Sequence, residues 1–256
     1  MTSLSAVVIT KNEHENIDSC LQSLKWADEI VVLDAGSTDD TCDIALRHGA
    51  RVGKAEPWRG FGIQRQRAQS LARGEWIFMI DADERVSPEL GDSIREFINK
   101  EPCIGRISRL NWCFGGFIRH SGWHPDLVDR LYPKELAHFS EALVHERLQN
   151  PRKLPVKLLR GSLLHFTYKD IQHYSLKSAL YASLWAQDRQ SNGEVASLSQ
   201  AFAHALGCFV KMYLFGAGFL DGRRGLLLAV LSAQSAFNKY ADLWLKSNPA
   251  TVHSKD

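Results

Sequence analysis

The sequence predicts an α/β fold: a mostly parallel sheet flanked by helices, followed by a helical C-terminal region. Three observations predict it. Short apolar runs alternate with helical patterns up to about residue 100. Three of those runs end in polar clusters. From Asp170 onward the pattern becomes helical throughout.

Taken in order, Leu4 to Thr10 is a run rich in β-branched residues, as expected of a strand buried on both faces. Ile17, Leu21 and Leu24 have helical spacing. Glu29 to Leu33 (EIVVL) reads as the second strand. Ser37 or Thr38 can cap the helix that follows, and Asp39 and Asp40 suit its positive N-terminal end. Arg51-Val52 suggests a short third strand. Phe61 to Ala72 is a helix with several basic residues, and Trp76 to Ile80 (WIFMI) is a fourth strand. Ser87-Pro88 opens the next helix as cap and first-turn proline, with Leu90, Ile94, Phe97 and Ile98 as its apolar face. Strand–helix–strand repetition of this kind implies parallel strands with helices on both faces.

Residues 104–168 change character. RISRLNWCF, LVDRLY, LVHERL, VKLL and SLLHF are strand-like pieces separated by Gly, Pro and Asn. They are expected to complete the sheet with antiparallel strands. Helices follow near 170–190, 197–216 and 224–246. The uncharged stretch Gly225 to Asn238 is shorter than the roughly 20 apolar residues of a spanning helix. The apolar stripe from Met212 to Trp244 carries Lys211, Arg223, Arg224 and Lys239 beside it, with Tyr213, Phe219, Tyr240 and Trp244 along it. That pattern suits a helix lying in a membrane interface against anionic headgroups. A hairpin packed on the rest of the protein, or in a dimer, is the other reading.

Composition narrows the function. The chain has 256 residues, 45% hydrophobic and 23% charged, which is enough for one α/β domain or one domain with an appendage. A net charge of +2 speaks against a nucleic-acid partner. The five cysteines are widely spaced without a CxxC pair, which argues against a disulfide framework or structural zinc and fits a reducing cytoplasm. MTSLSAVVITKNE lacks a basic n-region and reads as a strand rather than a signal peptide.

Open parallel sheets bind ligands beyond the carboxyl ends of their strands. Thr10-Lys11-Asn12-Glu13, Asp34-Ala35-Gly36-Ser37 and Asp81-Ala82-Asp83-Glu84 all lie there. Asp81 and Asp83, two apart with a small residue between, can reach one cation. Oxygen ligands of this type suit Mg²⁺ or Mn²⁺ beside substrate phosphates, where the charge of a departing diphosphate would be neutralised. An isolated DxD is equally a solvated acidic loop; its place after an apolar strand beside two other polar ends makes the site reading the stronger. No GxxxxGK[ST] or GxGxxG occurs, so phosphate-loop and dinucleotide sites lose their main support.

VVITKNE, EIVVLDAGSTDDT, GFGIQRQRA and WIFMIDADE, in this order, resemble the family-2 glycosyltransferases with the nucleotide-sugar-binding GT-A fold. RLYPKELAHFSEALVHERL, SLLHFTYKD and FLDGRRGLLLAVLSAQSAFNKYADLW look like the lipopolysaccharide-core branch, the β-1,4-glucosyltransferases acting on inner-core heptose. The resemblance implies a catalytic domain over 1–168, with a donor-binding half to about 100 and an acceptor half beyond it, and an appended helical region over 169–256. Thr10, Asn12 and Glu13 would line the nucleoside pocket, and Asp34 would lie near base or ribose. Ala35 replaces a second polar residue found in many relatives. Arg65 and Arg67 would reach the diphosphate, unless they form a solvated helix face. Asp83 would bind the metal directly, with Asp81 nearer the ribose, Ala82 between them, and His165 completing the shell unless it is a core histidine.

An inverting transferase also needs a base for the acceptor hydroxyl. Asp126, Asp129, Glu141 and Glu146 are available. Glu146, in Val144-His145-Glu146-Arg147, leads and Asp129 follows; a structural pair of Glu146 with Arg147 or Arg130 is the plainer reading. Trp112, Trp123 and His124 would form the acceptor wall, or simply core aromatics. The implied reaction moves a hexose, glucose from UDP-glucose first, to a lipopolysaccharide inner-core sugar at the inner face of the bacterial inner membrane. Two other readings stand beside it. A nucleotidyltransferase could use the same sheet, although Thr10 to Glu15 is acidic and lacks glycine. A catalytically silent membrane-associated nucleotide-sugar binder would be expected to lose its metal carboxylates, and both are present.

Overall fold

A computed structural model describes residues 2–55, 57–142 and 146–248. The chain divides into two compact units. The first comprises the residues up to Leu110 together with Asp126–His165; the second comprises Asn111–Pro125 and the chain from Phe166 onward. Residues 111–125 therefore group with the C-terminal helices.

The first unit begins with β1 (Leu4–Thr10), α1 (Ile17–Gln22), β2 (Glu29–Asp34), α2 (Thr41–Arg47), β3 (Arg51–Lys54), α3 (Phe61–Leu71) and β4 (Trp76–Asp81). A short β5 (Glu84–Val86) and α4 (Pro88–Phe97) follow. Along the chain then come β6 (Ile104–Cys113), β7 (Gly116–Phe117), β8 (Asp126–Pro133), β9 (His138–Phe139), β10 (Leu148–Gln149) and β11 (Val156–Tyr168), of which β7 and the last three residues of β6 and of β11 belong to the second unit. The expected alternation is observed. β1 pairs in parallel with both β2 and β4, and β2 pairs in parallel with β3. β8 joins β4 antiparallel, and β6 joins β8 antiparallel. The order is β3-β2-β1-β4-β8-β6-β11-β5.

This order forces curvature. Only Ala82 and Asp83 separate β4 from β5. Three Cα steps reach about 11 Å at most, whereas four strand spacings on a flat sheet need about 19 Å. The sheet therefore curls until its β5–β11 edge returns to the end of β4.

Both faces of the central strands are buried, which explains their unbroken apolar runs. Ala6, Val8, Phe78 and Ile80 pack on one face with Ile17, Leu21, Leu90 and Ile94 from α1 and α4. Val7, Ile77, Met79 and Tyr132 pack on the other with Ala68 of α3. Ser87 caps α4 as expected, its Oγ accepting from Leu90 N at 3.3 Å with Pro88 behind it. Neither Ser37 nor Thr38 caps α2. The helix starts at Thr41, and Asp39 accepts from Thr41 N at 3.1 Å, because both earlier residues are bound to the neighbouring loop. VKLL and SLLHF form one strand, β11, which passes through Gly161 at φ +83°. Of LVHERL, Leu148 lies in β10; residues 143–145 are outside the described residues.

The second unit contains α5 (Ile171–Ser191), α6 (Leu198–Val210), a π turn (Lys211–Phe215), a 3₁₀ turn (Gly218–Asp221) and α7 (Gly222–Ser247), close to the expected helices. The apolar stripe expected on 212–244 is divided. Leu228, Leu231 and Leu243 are buried within the unit, whereas Phe215 is 85% exposed. Among the described residues no single helix is long and apolar enough to cross a membrane; α6 and α7 with their turns pass that test only as a pair bent by 72°.

Two glycines separate close packing from open surface. A Cβ on Gly62 in α3 would lie 1.8 Å from Ser140 O, and Gly62 N donates to Ala142 O. A Cβ on Gly207 in α6 meets nothing within 4 Å. Gly62→Ala is expected to destabilise by about 2–3 kcal/mol and Gly207→Ala to stabilise by up to about 1 kcal/mol, both read by urea unfolding.

Candidate active site

The strand register gathers the polar ends. Thr10 lies opposite Asp34, and Ile9 lies opposite Asp81. The loops after β1 and β2 are cross-linked. Asn12, at φ 55°, donates its backbone N–H to Ser37 Oγ, and its Oδ1 accepts from Thr38 N, both at 2.8 Å. Asp34 is buried. Its carboxylate accepts from Gly36 N at 3.0 Å, Ser37 N at 2.9 Å and Ser37 Oγ at 2.5 Å, so it builds its own turn. Glu13 N donates to Thr41 Oγ1, and Glu13 Oε2 accepts from Asn16. Thr10 Oγ1 is buried without a hydrogen-bond partner among the described residues.

Beside these loops lies a chain of charges. Period-2 alternation puts Asp81 on the same sheet face as Ile77 and Met79, and Arg130 with Tyr132, the face that α3 covers. Arg65 comes down from α3. Arg65 Nη2 donates to Asp81 Oδ1, and Arg130 Nη2 to Asp81 Oδ2, each at 2.7 Å. Arg65 Nε donates to Glu146 Oε1, also at 2.7 Å, and its guanidinium lies over the Phe139 ring. Arg65 and Arg130 are 3% and 7% exposed, so this is a buried network rather than a surface one. Burial works against ionisation of Asp81, but the Arg130 and Arg65 charges outweigh it and hold the carboxyl far below the usual range. Each arginine keeps one buried nitrogen, Nη1, with no partner among the described residues.

Glu84, fully buried, steadies this cluster from β5. Its Oε2 accepts from Asp81 N at 2.9 Å and its Oε1 from Arg109 Nη1 at 3.2 Å, while Arg109 Nε donates to Asp126 Oδ2. β5 and β11 pair Glu84 with His165, and His165 Nε2 lies 3.3 Å from Asp83 Oδ2. Among the described residues no group of three His, Cys, Asp or Glu side chains forms a closed metal cage. Asp83 and His165 nevertheless fit Mg²⁺ or Mn²⁺, hard cations that fill most of their shell with phosphate oxygens and water.

Several expected site residues stand elsewhere. Asp81, expected near the metal and ribose, has both carboxylate oxygens engaged by arginines of the protein. Arg67 turns away from Arg65, as residues two apart on a helix do, and bonds Pro57 O and Gln64 Oε1. Asp129 alternates to the opposite face from Arg130 and forms a two-bond pair with Arg106 at 2.6 and 2.8 Å, so it does not join the cluster. Glu146 does join it, through Arg65 rather than through Arg147 or Arg130; Val144 and His145 of its motif lie outside the described residues. Ala82 is buried, and its carbonyl accepts from Arg85. In the second unit Trp112 packs on Phe166 and Trp123 on Tyr168. His124 precedes a cis peptide bond to Pro125, with a buried Nδ1 unpartnered among the described residues. Glu84 is expected only as the end of an acidic cluster and Arg130 only as a structural partner of Glu146; neither is expected to hold Asp81. The legible signal for Arg130 is a basic residue sharing strand parity with Tyr132.

Residues 5–154 match the family description "Glycosyl transferase family 2", more than half of the chain. The protein is a family-2 glycosyltransferase, and its curled, mostly parallel sheet with flanking helices is the GT-A fold that its motifs imply. It is 30% identical over 263 aligned residues to the uncharacterized glycosyltransferase RP128 of Rickettsia prowazekii, covering 96% of this chain and 89% of that one. It is 28% identical to the lipopolysaccharide core biosynthesis glycosyltransferase LpsC of Rhizobium meliloti, covering 96% and 95%. Among solved structures it is similar to glucosyl-3-phosphoglycerate synthase from Mycobacterium tuberculosis in complex with Mn²⁺, uridine diphosphate and glucosyl-3-phosphoglycerate. There the identity is 26% over 43% of this chain and 44% of that chain, with a TM-score of 0.37.

Asp81 has a lower pKa folded than unfolded. Its contribution to stability is therefore present above the ordinary carboxylate range and is lost as pH falls toward its folded value. Urea unfolding followed from about pH 5 down to about pH 2 is expected to show a shallower acid slope for Asp81→Asn than for wild type. At neutral pH the same variant is expected to lose on the order of 3 kcal/mol, because two buried guanidinium groups lose their counter-charge.

Proposed function

We propose that this glycosyltransferase moves a hexose, with UDP-glucose as the first donor to test, onto a sugar of the lipopolysaccharide inner core, with inversion. The observation that carries the donor reading is the pair of buried Nη1 groups on Arg65 and Arg130. An unpaired buried N–H is costly, and a diphosphate supplies charged acceptors in the geometry a guanidinium favours. Asp81 fixes both arginines at the strand ends. Thr10, Asn12, Glu13 and Asp34 frame the nucleoside side, with the Thr10 hydroxyl open to a ligand partner.

Asp83 and His165 would hold Mg²⁺ or Mn²⁺, which when bound neutralises charge on the leaving diphosphate. Glu146 accepts the proton of the acceptor hydroxyl. As that oxygen bonds to the anomeric carbon, the opposite carbon–oxygen bond to the diphosphate breaks and its electrons leave with UDP. Arg65 spans both halves of this event, since it touches Glu146 and Asp81. The likeness to LpsC supports the lipopolysaccharide assignment. Such an acceptor, with Trp112, Trp123 and His124 contacting its sugars, fits a protein resting on the cytoplasmic face of the inner membrane against its anionic surface. The catalytic domain would then span 1–168.

Thermal unfolding with UDP or UDP-glucose, with and without Mn²⁺ or Mg²⁺, tests the donor and metal together. Metal-dependent stabilisation is expected in wild type and its loss in Asp83→Ala; absence of any nucleotide effect in wild type refutes the donor reading. Glu146→Gln should keep donor binding and lose transfer by about 10²–10⁴-fold, and normal transfer would remove Glu146 as the base.

Arg130→Met separates diphosphate from nucleoside contacts. Calorimetry is expected to show UDP binding weakened about tenfold or more while uridine binding is unchanged. Equal weakening of both would point to general disruption instead.

A further inference from the structure

The second unit holds a basic cavity that the transfer chemistry leaves unused. Helices α5, α6 and α7 border an open pocket of about 620 Å³, with His204, Gly207 and Lys211 exposed along it. Lys211 enters from the π turn, Lys239 from α7 and His204 from α6; Tyr240 adds a hydroxyl, and Ser232 and Ser235 add two more that are hydrogen-bonded to Tyr174. Among the described residues no carboxylate lines it. Neither lysine has an ion-pair partner among the described residues. Lys211, Lys239 and Cys208 line the same pocket, and burial pushes the Cys208 thiol up while both lysines pull it back. The His204 ring lies flat on Tyr240, centroids 3.8 Å apart, which fixes the imidazole beside them.

Two like charges facing one space repel each other, and an anion between them relieves that repulsion. Ammonium, hydroxyl and imidazole N–H groups are all donors, and a phosphate offers several acceptor oxygens with matching charge. We propose that this cavity binds a phosphate ester. Two sources share that chemistry: the headgroup of an anionic lipid, and a soluble sugar or glycerol phosphate. Phe202 and Leu206, each 66% exposed on α6, are the apolar neighbours a lipid would meet.

The test requires no nucleotide-sugar, so its failure is distinct from failure of the donor reading. Binding of the full chain is measured to phosphatidylglycerol vesicles, to phosphatidylcholine vesicles and to soluble glycerol 3-phosphate. Three variants are compared. Lys211→Gln with Lys239→Gln removes the charge. Gly207→Phe keeps both lysines and fills the open wall of the cavity. Arg160→Gln removes an exposed charge outside this unit.

The first two variants are expected to weaken phosphate-dependent binding about tenfold or more, and Arg160→Gln to leave it little changed. Loss confined to phosphatidylglycerol vesicles identifies the lipid headgroup; loss of glycerol 3-phosphate binding as well identifies the ester itself. If wild type binds neither ligand, the proposal fails. If folded Gly207→Phe binds like wild type, or Arg160→Gln loses as much as the double variant, general surface charge explains the attraction and the cavity is not a site.

Discussion

The site depends on one carboxylate held between two guanidinium groups. Asp81 ends β4, and its two oxygens take Arg65 from α3 and Arg130 from β8. Without Asp81, two buried cations would face each other at the strand ends. With it, each arginine is fixed by one nitrogen and keeps another buried and unpartnered among the described residues. A helix, a parallel strand and an antiparallel strand are thus tied at one point, and Glu146 is attached to that point through Arg65.

The second constraint is the shortness of the link after Asp81. Ala82 and Asp83 carry the chain from the centre of the sheet to its last strand. That places Asp83 beside His165 and puts Glu84 beneath Asp81. The acidic motif therefore does two separate things. Its first aspartate organises cations of the protein, while its second lies with an imidazole, the pairing that suits a divalent metal.

Local signals were readable where local physics decides. The apolar runs of β1, β2 and β4 announced strands buried on both faces, Ser87-Pro88 announced α4, and the helices beyond Asp170 followed their spacing. What escaped reading was pairing between distant segments. Nothing in the sequence states that β8 adjoins β4, so Arg130 could not be placed beside Asp81. Asp129 follows Glu146 as a candidate base by chemistry, but strand parity turns it toward Arg106. Ser37 and Thr38 have the chemistry of helix caps, but the adjoining loop claims them first. The same limit applied to the apolar stripe near the C-terminus. Its period announced a helix, but only packing decides that Leu228 and Leu231 face inward while Phe215 faces out.

The β5–β11 pairing has a consequence for biosynthesis. Glu84 and the DxD residues leave the ribosome long before His165, their partner strand's contribution, has been translated. The nascent chain can assemble β1 to β4 early, since those contacts are comparatively local, but the edge that brings imidazole to Asp83 closes only after a long loop is ordered. The half built from β1 to β4 is thus able to form first, and the corner where Asp83 meets His165 is completed late, when the sheet closes.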